Sequence, residues 1–460
     1  VRSSLVVVAA VAAASSSTAC GDTAVVLVVD GDLEVPQQLD AVCLSVADES
    51  VTGGAFGRVY ALDALPQTLV VEPGQADGGV AVARGFRAGV EVARAVRAFE
   101  FGGGVAEVTL SLDACPAGDE AAPQVAGALA APVGARAAVS YGRGGSRLVV
   151  AGGGAAFLAG VQGDRLVQTP GQLPAGADGL SVTEIVPVDI DGDCDDDLVV
   201  LLADQVPQVW RRDDVDFVQT DVALEGLPTA AAAVGVDVDR DGDMDLVAGG
   251  AVLRLYRNDG EGGFAVDPNG ISVTAASDVT ALAVADIDGD GAADLVVGQG
   301  GAEPMADVAL LNDAAGSGAF AVAPAALPPV ARRTAGFSVS DLDGDGIADL
   351  LVAVADGPLR VYINRGDGRL EDRSFVTLPD AEAVAQSVAS RDWDGDCFAD
   401  ALAVVDGAVV GLGSNGGAAL QSEGVPAIAA QRIIMADLDD DGAADGIAVG
   451  AEDGVQWLRR

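Results

Sequence analysis

The chain contains no histidine, and all 25 of its basic residues are arginine. Without histidine there is no Ser-His-Asp or Cys-His pair, no imidazole base, and no histidine-ligated zinc or haem. Without lysine there is no Schiff base and no Walker A loop. Carboxylate-only chemistry stays open. Aromatics make up 4% of the residues, so Ala, Val, Leu and Gly must carry the packing. Positive charge is scarce: 70 acidic residues leave a formal charge of -45. Such a surface repels nucleic acid and anionic membranes, which excludes both as partners. A GC-rich coding bias accounts for the missing lysine, but not for how the aspartates are spaced.

The apolar run at residues 5–14 (LVVVAAVAAA) is too short to span a bilayer, which needs about 20 residues. With Arg2 before it and Ser15 to Ala19 (SSSTA) before Cys20, residues 1–19 read as a secretory signal peptide. The segment resembles a bacterial lipoprotein signal with Cys20 as the lipidated residue, although Ser17 stands where Leu is usual. Ordinary signal peptidase would cut at the same bond. The implied location is outside the cytoplasm, either outer-membrane-anchored or extracellular, with the membrane touched only through an N-terminal lipid. Export permits disulfides. Cys43 and Cys115 are the expected pair, whereas Cys194 and Cys397 are too far apart in the expected ring to bond.

What the chain has in abundance is one acidic pattern, repeated six times. It reads DIDGDCDDD (189–197), DVDRDGDMD (237–245), DIDGDGAAD (286–294), DLDGDGIAD (341–349), DWDGDCFAD (392–400) and DLDDDGAAD (437–445). Positions 1, 3, 5 and 9 are Asp in every copy. Two unit charges 4 Å apart repel by about 4 kcal/mol at an effective dielectric near 20, so four converging carboxylates call for a cation. Calcium takes six to eight oxygens in irregular geometry, and magnesium fits such a loop worse. An EF-hand would need an acid at position 12, where these copies have Val200, Ala248, Val297, Val352, Ala403 and Ala448.

The expected ligands, up to six calcium ions in all, follow the odd positions. Carboxylates come from positions 1, 3, 5 and 9, and the backbone carbonyl from position 7. The first loop offers Asp189, Asp191, Asp193, Asp195 and Asp197, and the second Asp237, Asp239, Asp241, Asp243 and Asp245. The third offers Asp286, Asp288, Asp290, Ala292 and Asp294, and the fourth Asp341, Asp343, Asp345, Ile347 and Asp349. The fifth offers Asp392, Asp394, Asp396, Phe398 and Asp400, and the sixth Asp437, Asp439, Asp441, Ala443 and Asp445. No catalytic residue is assigned.

The loops recur at intervals of 48, 49, 55, 51 and 45 residues, the period of propeller blades. Each unit reads as four strands: one into the loop, a wholly apolar one out of it, a third ending in a Gly-rich turn, and a fourth opened by Phe (Phe217, Phe264, Phe320, Phe375). A seventh unit precedes the first loop, with Val139, Tyr141, Arg143 and Arg147 at the ligand positions and hence no metal. The expected fold is all-β: a seven-bladed β-propeller (six calcium-loop blades plus one degenerate blade) after a small immunoglobulin-like β-sandwich. The sandwich occupies 20–115, a linker or ring-closing strand 116–131, and the propeller 132–460.

The six DxDxDxxxD loops, together with N-x-G-x-G-x-F turns at Asn258 and Asn364, resemble the FG-GAP/VCBS repeat family. That family includes the integrin α-subunit head and many bacterial surface proteins, and the resemblance covers about 330 residues. It implies a non-enzymatic, calcium-binding, cell-envelope lipoprotein that binds a protein or glycan ligand, adheres or scaffolds, and is a monomer. The alternative it leaves open is a calcium-dependent, lyase-like enzyme acting on polysaccharides. The Arg365-Gly366-Asp367 triplet is explained by the blade pattern, and Trp210, Trp393 and Trp457 read as packing residues.

Overall fold

In a computed structural model the described residues are the strands from Val6–Val8 to Val105–Ser111, and 123–460 apart from short gaps. The gaps are 132–133, 143–144, 214, 227–229, 269–270, 272–277, 314–316, 346, 375–383, 395–397, 415–419, 440–442 and 452–453. Cys20, Cys115, Cys397, Phe375, Arg143, Asp396 and Asp441 therefore lie outside the described residues, as do the Cys43–Cys115 pairing and the signal-peptide cut.

The N-terminal region forms two four-stranded sheets. One pairs Ala24–Asp30 antiparallel to Gln67–Glu72 and parallel to Val105–Ser111. The other centres on Ala41–Ala47 and Gly78–Arg87. Leu27, Val29, Val42, Ala81, Ala83, Ala95 and Leu110 are buried.

From Arg136 onward the chain forms seven four-stranded antiparallel sheets, the blades. Their inner strands are Arg136–Ser140, Val182–Val188, Ala232–Val236, Val279–Ala285, Thr334–Ser340, Ala385–Arg391 and Arg432–Ala436. Each packs on the inner strand of the next blade, and the first blade meets the last, so the ring is closed. The seventh blade takes its fourth strand from before the first: Gln124–Leu129 pairs antiparallel with Gly454–Arg459. No sheet edge is left where the ring's two ends meet.

The core is divided into seven apolar layers, one at each junction between neighbouring blades. The second strand of each blade lies between two layers, which is why it does not alternate: Asp197–Leu202, Asp294–Gln299 and Asp349–Val354 are buried at every position. Trp210, Trp393 and Trp457 are buried as packing residues. The longest sequence interval has a visible cause. Blade 4 carries an extra ribbon in which Met305–Ala306 pairs with Ala331–Arg332.

In five of the seven blades one side chain stitches the ring. Asn258 donates from Nδ2 to the Ile190 carbonyl at 2.7 Å, Asn312 to that of Val238 at 2.9 Å, and Asn364 to that of Asp286 at 2.9 Å, each in the preceding blade. Ser414 reaches Leu342 the same way at 3.2 Å, and Arg212 reaches Ser140 at 3.1 Å. Replacing the buried Asn364 with Ala removes its bond to the part-buried Asp286 carbonyl and should cost about 1–3 kcal/mol. Urea unfolding of Asn364→Ala beside wild type measures it, and an unchanged midpoint would show the stitch to be idle.

Candidate metal centres

The ninth aspartate of every loop is the first residue of the second strand, paired with the last residue of the inner strand: Val188 with Asp197, Val236 with Asp245, Ala285 with Asp294, Ser340 with Asp349, Arg391 with Asp400, Ala436 with Asp445. The strand pair thus clamps both ends of the eight-residue loop. The side chain at position 2 plugs the layer beneath; Ile190, Val238, Ile287, Leu342, Trp393 and Leu438 are all buried. In blade 1 the equivalent pair is Ser140 with Arg147. That loop is two residues shorter than the others, so its first position is Tyr141, and Val139 belongs to the inner strand rather than to a ligand position. The alignment expected from sequence was correct at Arg147 and displaced before it.

The carboxylates converge. One oxygen each from Asp189, Asp191 and Asp197 lies within 4.8 Å of the others, and the same holds for Asp286, Asp288 and Asp294, for Asp341, Asp343 and Asp349, and for Asp392, Asp394 and Asp400. In the second loop the converging trio is Asp237, Asp239 and Asp241, positions 1, 3 and 5. The fifth position also turns to the backbone: Asp193, Asp241, Asp290 and Asp345 each accept the N–H of position 7.

Position 1 holds the turn. Asp189 accepts the amides of Gly192 at 2.9 Å and Cys194 at 2.8 Å; Asp237 and Asp286 accept the same two amides of their loops. Position 9 takes the amide of position 2 on Oδ2, as in Ile287 to Asp294 at 2.8 Å. Its Oδ1 takes the amide of the stitching residue in the third strand, as in Asn312 to Asp294 and Asn364 to Asp349, both 2.8 Å.

Position 3 is different. Arginine from the third strand or the turn after it grips Oδ2: Arg211 on Asp191 at 2.7 Å, Arg257 on Asp239 at 2.7 Å, Arg365 on Asp343 at 2.6 Å. Oδ1 of Asp191, Asp239 and Asp343 is buried and accepts no hydrogen bond. A buried carboxylate oxygen left without a donor at the same place in three loops is what a bound cation would satisfy. Hard oxygens alone, with no sulfur or nitrogen, suit calcium. The residues fit the ion. Sequence reasoning missed both the arginine grip and the Asn stitch. The N-x-G turns carried a trace of the stitch, and Arg365 of the RGD triplet proves to belong to the grip.

Burial dominates the electrostatics. It raises the carboxyl of Asp197 to about 9, those of Asp294, Asp349, Asp400 and Asp445 to about 7, and those of Asp189 and Asp237 to about 7. At Asp189 the neighbouring Asp193 adds to the rise.

Residues 237–297 and 341–403 match the profile described as FG-GAP-like repeat. The chain thus carries FG-GAP-like repeats in a seven-bladed β-propeller. Among curated proteins none matches it. Similar solved structures include an Agrocybe aegerita lectin reported to recognise non-reducing terminal N-acetylglucosamine (18% identity, TM-score 0.47, 71% of this chain and 86% of that one). Another is BBS1N in complex with ARL6DN (12%, 0.47, 75% and 97%). A third is the extracellular domain of BT4673 from B. thetaiotaomicron (14%, 0.47, 74% and 40%). Among the described residues no helix is long and apolar enough to cross a membrane.

Two predictions follow from the loops. Folded, metal-free protein holds protons that the unfolded chain releases, because the folded carboxyls titrate near 7 to 9 and the unfolded ones near 4. That contribution is complete below about pH 4 and is lost as pH rises through 7 to 9. Calcium displaces those protons, so the melting-temperature gain from calcium should be larger at pH 8 than at about pH 5.5. An equal gain at both would deny the proton competition. Asp343→Asn should remove one site, lowering stability at saturating calcium by about 2.7 kcal/mol where calcium is at 100 times Kd, with little change in chelator. Paired thermal melts read both.

Proposed function

We propose that the chain is a non-enzymatic, calcium-stabilised propeller displayed on the bacterial cell envelope, exported and anchored through Cys20, and binding a protein or glycan ligand. One observation carries the calcium half: the orphaned Oδ1 atoms of Asp191, Asp239 and Asp343 inside converging carboxylate clusters. Metal would supply charge neutralisation and hold each loop, linking binding to folding. The N-terminal pair of sheets fits an immunoglobulin-like spacer between anchor and head.

The binding half rests on the channel. Its inner strands are built mostly from Ala, Val, Ser and Thr. Three charged residues near the mouth opposite the loops already have partners within the ring. Arg432 of the seventh blade takes both oxygens of Glu184 in the second, and Arg136 between them donates to the Thr183 carbonyl at 2.8 Å. A carboxylate held at both oxygens by a guanidinium is poorly placed to act as a base, which favours recognition over the lyase-like alternative.

Calcium-loaded and chelated protein, screened on a glycan array and by pull-down from envelope extract, test the proposal. The expected outcome is capture that needs calcium and weakens in Arg432→Ala, with no ultraviolet-absorbing unsaturated product from acidic polysaccharides. Product formation would replace this reading with the enzymatic one.

A further inference from the structure

Blade 1 has no acidic loop, so something other than metal must hold its short turn against blade 2. Asp196 does much of this. It stands at position 8 of the first loop, where the other five have Met244, Ala293, Ala348, Ala399 and Ala444. It is 5% exposed. Its Oδ2 accepts the Tyr141 amide at 3.0 Å, its carbonyl accepts the Ser140 hydroxyl at 2.7 Å, and its amide donates to the Tyr141 carbonyl at 2.7 Å. Its remaining oxygen, Oδ1, accepts a hydrogen bond from Arg84 at 3.0 Å.

Arg84 comes from the N-terminal region, in the strand Gly78–Arg87. Ala83 beside it is buried in that region's own core, so strand alternation sends Arg84 out of the opposite face. It is only 7% exposed, and its guanidinium carbon lies 5.2 Å from the centre of the Tyr141 ring. A buried guanidinium closed in by a buried carboxylate and an aromatic face is a built contact, unlike a screened surface pair.

A second observation falls at the same spot. Cys194, two residues before Asp196 and 2% exposed, is disulfide-bonded. Ring order excludes Cys397 as its partner: blade 2 touches blades 1 and 3, whereas the fifth acidic loop sits in blade 6 between blades 5 and 7. A bridge requires Cα atoms within about 7 Å. The partner therefore precedes the propeller, and position 43 stands directly opposite Arg84 in the strand register.

We propose that the N-terminal domain is docked in a fixed orientation on the loop-bearing face of the propeller at the junction of blades 1 and 2. Arg84 is the bridging cation there, and the Cys194 disulfide is the covalent tie. The degenerate blade gives its loop to this interface, and Asp196 is the acid that distinguishes it. The proposal stands whether or not the other loops bind calcium.

Small-angle scattering and non-reducing peptide mapping of the full chain test it. Wild type should scatter as one rigid particle, oxidised or reduced. Arg84→Ala and Asp196→Asn should match it when oxidised. Once reduced, both should lengthen in maximum dimension by on the order of 10 Å as the domain swings free. Arg84→Lys should lengthen less, and unchanged calcium-dependent melting certifies that the variants fold. Mapping should join Cys194 to the peptide carrying Cys43; a link to another cysteine before residue 116 also supports the tie. The proposal is overturned by identical scattering of reduced wild type and reduced variants, by two independently moving bodies in wild type, or by Cys194 found free or joined to Cys397.

Discussion

A carboxylate placed at the first residue of a buried strand governs this molecule. The ninth aspartate of each loop sits where the inner and second strands begin to pair, withdrawn from water, and it can stay there only if donors or a cation surround it. Its two oxygens collect the amide at the loop's start and the amide of the third strand. The residue that supplies the second amide also reaches across to the neighbouring blade. One desolvated group therefore ties loop, blade and ring together. An uncompensated buried charge is costly, so the whole arrangement leans on its partners being present.

That dependence explains what could be read from the sequence. Four aspartates at fixed spacing are a local pattern, so the loops, the period and the blade count were legible, as was the degenerate blade through its exit strand at Leu148. The strand Asp197–Leu202 announced itself because a doubly covered strand needs no alternation. The stitches were not legible, since Asn258 and Ile190 meet only once the ring has brought adjacent blades together. The same holds for Arg84 and Asp196, more than a hundred residues apart. In the N-terminal sheets, Gly78–Arg87 is a weak signal because three glycines and two arginines interrupt its apolar pattern. The shortened loop of blade 1 misled the alignment because nothing marks a two-residue deletion once the aspartates are gone.

Charge is distributed with the same logic. The arginines are few, and several are spent on the loops: Arg211, Arg257 and Arg365 hold third-position aspartates from outside. These pairs are partly open to solvent, and their worth lies less in stability than in fixing which oxygen faces inward. At the opposite mouth Arg136, Glu184 and Arg432 span three blades with hydrogen bonds of their own. The two faces of the ring are therefore chemically unlike: one is crowded with aspartate, and the other carries arginine beside its acids, as in this trio and in the pair of Arg333 with Asp356.

The strand that completes the last blade is drawn from residues 124–129, and it pairs with residues 454–459, seven blades later in the chain. During synthesis the early partner must wait, unpaired, until that later segment has left the ribosome. Six blades can stack as they emerge, but the circle cannot shut before then. Completion is thus an all-or-nothing event, and a product cut short of residue 454 is left as an open arc with a raw seam on each side.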